Sequence, residues 1–314
     1  MKRLLLAVLS FTVVIGLFGP TFAQTAREDI RVVVVVHGAA ADPFWSVVKN
    51  ATDQAATDLG VQLEYRAPDT FDMPLMAQLI DAAVASGPDA LIVSIPDATA
   101  LGSAIEGAVE AGIPVFSINS GSDVFQELGV LRHIGQTEYE AGLGGGRRMA
   151  AAGGTKGLCI NQEVGNVALD LRCEGFSDGL GGNVEVLAVS TDPIEVQNAV
   201  IAALRDDSID AVLTLGPVGG IPTLEALRES GKAGNILFGT FDLAPDLLQG
   251  AIDGEVSFLI DQQQYLQGYL SVMTAVNFVQ YGLLPGNEVI LTGPGFVTPE
   301  NAEQVISLSA QGIR

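Results

Sequence analysis

Short apolar runs rich in β-branched residues alternate along this chain with longer amphipathic, alanine-rich stretches. The runs are "IRVVVVV" (30–36), "VQLEYR" (61–66), "DALIVSI" (89–95), "IPVFSI" (113–118), "GLCI" (157–160), "VEVLAVS" (184–190), "DAVLTL" (210–215), "NILFGTF" (235–241) and "VSFLI" (256–260). Most are near-continuous rather than alternating, which is the pattern of parallel strands covered on both faces. Between them the spacing predicts helices over 43–59, 73–86, 101–111, 138–152, 194–205 and 221–230. Strand-then-helix order builds right-handed βαβ units, so the expected fold class is α/β, with two doubly wound parallel sheets. Asp42 ahead of Pro43 reads as an N-cap followed by proline at the first helical position, and Gly60, Gly87, Gly112 and Gly231 follow helices. The segments "SGPDALIVSIPDATAL" and "AGIPVFSINSGSD" share one helix-Gly-strand-loop plan, the mark of a duplicated βα unit.

The first residues follow a different rule. In "MKRLLLAVLSFTVVIGLFGPTFAQT", Lys2 and Arg3 precede an apolar stretch from Leu4 to Phe18, and Thr21-Phe22-Ala23 offers a small-residue cleavage site. Residues 1–23 are therefore expected to be a signal peptide, with export to the periplasm. The stretch is short for a bilayer span, and Gly16, Gly19 and Pro20 break its end. Removing two basic and no acidic residues takes the formal charge from -22 to -24. Such a polyanion excludes nucleic acid and anionic membrane surfaces as partners. Cys159 and Cys173 are the two cysteines. In an oxidising compartment a disulfide is the default reading, and a metal site is the weaker alternative because the spacing matches no zinc pattern.

Ligands of open α/β sheets sit at the carboxyl ends of the strands. The loops there read "HGAAADPFW", "PDAT", "NSGSD", "NQEVGN", "GPVGG", "DLAPD" and "DQQQY". They carry neutral hydrogen-bonding groups, a few carboxylates and little positive charge, a set that suits a neutral polyhydroxyl molecule better than an anion. No Gly-x-Ser-x-Gly elbow accompanies His37 or His133, and "NSGSD" is a turn by default. An acid pair of the glycosidase kind stays open, although in a chain this acidic most carboxylates are solvated surface. "GLGGGRR" (142–148) lacks a P-loop ending and falls inside a helical stretch, so close helix packing is its reading. "GPVGG" (216–220) is either a ligand-facing backbone or a plain β-to-α turn. Asp42 reads as a helix cap, a ligand contact or both, and Asp242 as a cap or a strand-end ligand carboxylate. Arg172 stands at the loop end of a βα unit, where its fork of donors suits adjacent hydroxyls.

At these residues the chain resembles the ribose-binding branch of the type I periplasmic sugar-binding proteins, the receptors of ABC importers. "DPFW", "GIPVFSIN", "LRCEGF", "GTFD" and "IDQQQYLQG" occur in family order, and the likeness runs from about Ile30 to Leu291. The resemblance implies that Phe44 and Trp45 stack on a sugar ring. It makes Asp42, Asn119, Ser120, Asn166, Arg172, Asp242 and Gln262 polar ligand contacts, and it implies no cofactor, no metal and no catalytic residue. It also implies two similar lobes, 28–135 plus 263–291 and 136–262 plus 292–314, joined by three crossovers near Gln136, Gln262 and Leu291. Asn119-Ser120 stands where the family has Asp-Arg, and Gly216 where it has a polar residue. The resemblance therefore carries sugar or polyol binding rather than ribose in particular. The implied function is a monomeric receptor that delivers its ligand to an ABC permease. The alternatives are a protein that presents a sugar, nucleoside or furanosyl signal to a chemoreceptor or sensor kinase, and an exported enzyme on the same fold.

Overall fold

The structure, a computed structural model, describes residues 25–38 and 42–314. The signal-peptide reading of 1–23 and the residues 39–41 lie outside the described residues. The first half runs β1 (Arg31–Val35), α1 (Pro43–Leu59), β2 (Gln62–Arg66), α2 (Met73–Ala85), β3 (Ala90–Val93), α3 (Ala98–Glu110), β4 (Val115–Asn119) and β5 (His133–Gly135). The second runs α4 (Glu138–Ala151), β6 (Gly157–Asn161), α5 (Val167–Leu180), β7 (Val184–Ala188), α6 (Pro193–Ala203), β8 (Ala211–Thr214), α7 (Pro217–Glu229), β9 (Leu237–Phe241), α8 (Pro245–Ile252) and β10 (Phe258–Asp261). The chain closes with α9 (Gln264–Tyr281), β11 (Val289–Leu291), β12 (Gly295–Val297) and α10 (Ala302–Ala310).

Two six-stranded sheets result, ordered β11-β5-β4-β3-β1-β2 and β12-β10-β9-β8-β6-β7. All pairs are parallel except β12 on β10, a departure from the all-parallel expectation. The valine run explains β1. Val32 and Val34 face a core with Val48 and Val272, while Val33 and Val35 face Met76, Leu101 and Ile105, so both faces of the strand are covered. Leu158 and Ile160 of β6 pack on one face with Val212, and Cys159 packs on the other with Leu213 and Phe241. Asp42 caps α1 by accepting from the Phe44 N–H at 2.7 Å, and Gly60 ends it in the left-handed region at φ 68°.

Helix α4 contains the "GLGGGRR" stretch and crosses α5 backbone to backbone. A β-carbon on Gly142 would lie 2.1 Å from the Arg172 carbonyl oxygen, and one on Gly175 would lie 2.0 Å from that of Tyr139. Glycine is thus required at the crossing, which fixes where Arg172 points. Gly175→Ala is expected to destabilise the fold by at least the upper part of the roughly 1–3 kcal/mol typical of overpacking. The α3 glycine Gly107, whose β-carbon would meet nothing within 4 Å, provides the contrast. Gly107→Ala is expected to be neutral or to stabilise by about 0.5–1 kcal/mol, and urea denaturation of both variants checks the pair. Cys159 and Cys173 form a disulfide that ties β6 to α5 across a separation of 14 residues. A loop of that size is worth about 3 kcal/mol in the chain-entropy account.

The chain passes between the sheets three times, after β5, after β10 and between β11 and β12. These crossovers lie side by side. The Thr292 N–H donates to the Gly135 carbonyl at 2.7 Å, its hydroxyl donates to the Gln262 carbonyl at 2.8 Å, and Gln263 Nε2 donates to the Thr292 carbonyl at 2.6 Å.

Candidate functional site

The carboxyl ends of both sheets meet around a cavity with about 360 Å³ of empty space, continuous with solvent. The lobe built on β1–β5 supplies His37, Asp42, Phe44, Trp45 and Asn119. The other supplies Gln162, Glu163, Leu169, Arg172, the Leu215–Val218 turn and Asp242, and Gln262 joins them from the second crossover.

Phe44 and Trp45 both line the cavity, yet they are only 6% and 3% exposed. The rings meet edge-on with centroids 4.9 Å apart, and the indole edge also meets the His37 ring at 4.8 Å. The indole lies over Gly38, where any β-carbon would collide with it at 1.7 Å. Neighbouring aromatics are tolerated here because both rings belong to the lobe core while also lining the cavity. Aromatic rings at a cavity wall suit the C–H surface of a sugar or polyol ring.

Opposite them, Arg172 is 3% exposed. Its Nε donates to Glu138 Oε2 at 2.5 Å, its Nη1 donates to the Leu215 carbonyl at 2.9 Å, and its guanidinium lies 4.3 Å from the Phe241 ring centre. An arginine has five N–H donors, so these contacts fix the fork and leave others for the cavity. Burial works against its charge, but Glu138, Asp242 and Glu163 hold the group charged and raise its pKa.

Asn119 and Asp242 follow the same logic in the two lobes. Each sits at the end of a strand, β4 or β9, and each takes a left-handed backbone, at φ 63° and 66°. Asn and Asp tolerate that conformation best among non-glycine residues. A directional relay links the pair across the lobes. Ser120 Oγ donates to Asn119 Oδ1 at 2.8 Å, Asn119 Nδ2 to Gln262 Oε1 at 3.2 Å, and Gln262 Nε2 to Asp242 Oδ1 at 2.7 Å. This orients both amides and leaves the second Asp242 oxygen unused by the relay. Burial pushes the Asp242 pKa up to about 8 against the pull of Arg172. Burial likewise raises Glu163 to about 7 and Asp42 to about 6, and it lowers His37 to about 3, so that histidine is neutral.

Of the residues expected from the sequence, Asp42, Phe44, Trp45, Asn119, Arg172, Asp242 and Gln262 line the cavity together. Ser120 and Asn166 do not. Ser120 lies behind Asn119 as the first donor of the relay. Asn166 caps α5 by accepting from the Ala168 N–H at 3.0 Å and donates to Glu163 Oε2 at 2.7 Å. Asp42 is at once a cap and a cavity wall. Three polar lining residues were not singled out in the sequence: His37, Gln162 and Glu163. Each lies one or two residues beyond the end of β1 or β6, inside loops already identified, so strand-end position was the signal available.

The family model described as periplasmic binding protein domain matches residues 32–283. The xylose/arabinose-binding protein XylF of Sulfolobus acidocaldarius is 24% identical over 93% of this chain and 77% of its own length. A carbohydrate transporter structure from Acidothermus cellulolyticus 11B, in complex with myo-inositol, is 33% identical, covers 91% of this chain and 100% of its own, and has a TM-score of 0.87. An ABC transporter solute-binding protein from Burkholderia graminis, in complex with D-arabinose, is 25% identical over 88% of this chain and 98% of its own, with a TM-score of 0.81.

Proposed function

The chain belongs to the periplasmic binding protein domain family, and from that premise we propose that it is a receptor that captures one neutral sugar or polyol between its lobes and delivers it to an ABC importer. The observation that carries this reading is the cavity itself. One wall is aromatic, the other holds a fixed guanidinium beside the Asp242 carboxyl group, and an amide relay spans the lobes between them. Charged and amide groups of this kind bond hydroxyls, while ring faces cover C–H surface.

The proteins with bound myo-inositol and D-arabinose support the ligand class. The ligand-contact set we propose is Asp42, Phe44, Trp45, Asn119, Arg172, Asp242 and Gln262, with Ser120 orienting Asn119 and Asn166 holding Glu163. The lobes are 28–135 plus 263–291 and 136–262 plus 292–314. The receptor works as a monomer in the periplasm, exported by its signal peptide and docking on the importer's permease.

A melting screen of pentoses, hexoses, cyclitols and nucleosides tests the reading. A ligand at a hundred times its Kd adds about 2.7 kcal/mol, which raises Tm by about 4 °C in a protein of this size. We expect one neutral polyhydroxyl compound to do so. A screen in which none shifts Tm contradicts the proposal.

A further inference from the structure

We infer that Gln162 is a specificity-determining residue of the cavity, its side-chain amide reading one hydroxyl of the ligand from the β6 side. This rests on the reading of the cavity as a sugar or polyol site. Gln162 follows β6 directly and lines the cavity, and its Oε1 is buried with no hydrogen-bond partner among the described residues. The other polar side chains of the wall each hold at least one partner within the protein, His37 through Ser94. Asp242, Gln262 and Asn119 belong to the relay, Arg172 is tied to Glu138 and Leu215, Asp42 to the Phe44 N–H, and Glu163 to Asn166. Buried amide oxygens are almost always paired, so one left over at a cavity wall points to a partner that the fold does not supply.

The shape of the opposite loop supports the same assignment. A β-carbon on Gly216 would stand 3.2 Å from Gln162 Nε2 and 3.9 Å from Asp242 Oδ2, and one on Gly219 would stand 3.4 Å from Gln162 Oε1. The β8–α7 turn thus presents bare backbone at the place where the Gln162 amide projects. The amide reaches the ligand from β6, across space that a side chain at 216 would contest. Because an amide both donates and accepts, it rewards a hydroxyl in one orientation and is left unpaired by its epimer. Sites that leave a buried polar group unpaired reject the wrong ligand.

The test is a calorimetric titration of the full chain and of Gln162→Leu with myo-inositol, with scyllo-inositol, which differs at one hydroxyl, and with D-arabinose and D-ribose. Gln162→Met, which keeps the linear shape, stands in if the leucine variant does not fold. The best wild-type binder is expected to weaken roughly tenfold or more, its preference over the other panel members is expected to shrink, and the Tm of the free variant is expected to hold. Restoring an amide from the other loop, in Gln162→Ala with Gly216→Asn, is expected to recover part of the preference. Unchanged affinity in the leucine or methionine variant overturns the assignment, as does an equal loss for every ligand with the preferences intact. The compound that most raises Tm joins the panel, and a wild type that binds no neutral polyhydroxyl compound overturns the polyol reading and the assignment with it.

Discussion

Arg172→Ala is expected to abolish ligand binding and to remove about 3–5 kcal/mol of folding stability, the usual consequence of breaking a buried ion pair from one side. Arg172 and Glu138 have side chains only 3% and 2% exposed, and the pair is closed by a 2.5 Å hydrogen bond. Without the guanidinium, Glu138 keeps, among the described residues, only the Gln136 amide, which donates to it at 3.0 Å, so its charge is left buried. The cavity loses its fixed cation at the same time. The two losses separate in the double variant Arg172→Ala with Glu138→Gln. Removing the stranded carboxylate is expected to restore much of the stability in urea denaturation, whereas binding stays absent in calorimetry. Recovery of binding in that double variant would show that the arginine acts through stability alone.

Between pH 6.5 and 8.5 the free protein is expected to lose stability, and Asp242→Asn is expected to remove much of that loss. The sign follows from proton counts. Burial raises Asp242 to about 8, Glu163 to about 7 and Asp42 to about 6 in the folded protein. An unfolded carboxyl titrates near pH 4. From about pH 4 up to these values the native state holds protons that the unfolded chain has released, so its stability falls as pH rises and levels off above about 8. His37 and His133 act in the opposite direction, because burial lowers both to about 3. Their contribution grows as pH rises from about 3 to the unfolded value near 6.5 and is constant above it. Above 6.5 the carboxyl groups therefore decide the slope. A pH series of melting curves measures it, and a Tm that rises from 6.5 to 8.5 in the wild type contradicts the account.

Much of the fold was legible because its signals are local. The valine run of β1, the Asp42–Pro43 cap and Gly60 each act within a few residues, and α1 has the expected bounds of 43–59. Strands β5, β11 and β12 are three residues each, too short to carry a period, and went unread. The glycines of α4 were legible as packing, but their partner, the α5 backbone at Arg172 and Phe176, was not.

The site divides in the same way. Phe44, Trp45, Arg172 and Asp242 stand at strand-end loops and helix starts, where topology alone places a ligand. The relay that sets the amides depends on Asn119 and Gln262, which lie 143 residues apart and meet only because the crossovers bring the two sheet ends together. No local pattern encodes that meeting. Nor could a local pattern show that Ser120, expected as a ligand contact, bonds Asn119, or that Asn166 caps α5 and bonds Glu163.

The central claim is that this cavity binds a neutral sugar or polyol and releases it unchanged. Titration calorimetry of the full chain with the compound that most raises Tm, followed by chemical analysis of the recovered ligand, tests it most directly. The account predicts saturable binding of one ligand per chain and quantitative recovery of the intact compound. Absence of saturable binding by every neutral polyhydroxyl compound, or recovery of a converted product, would contradict it.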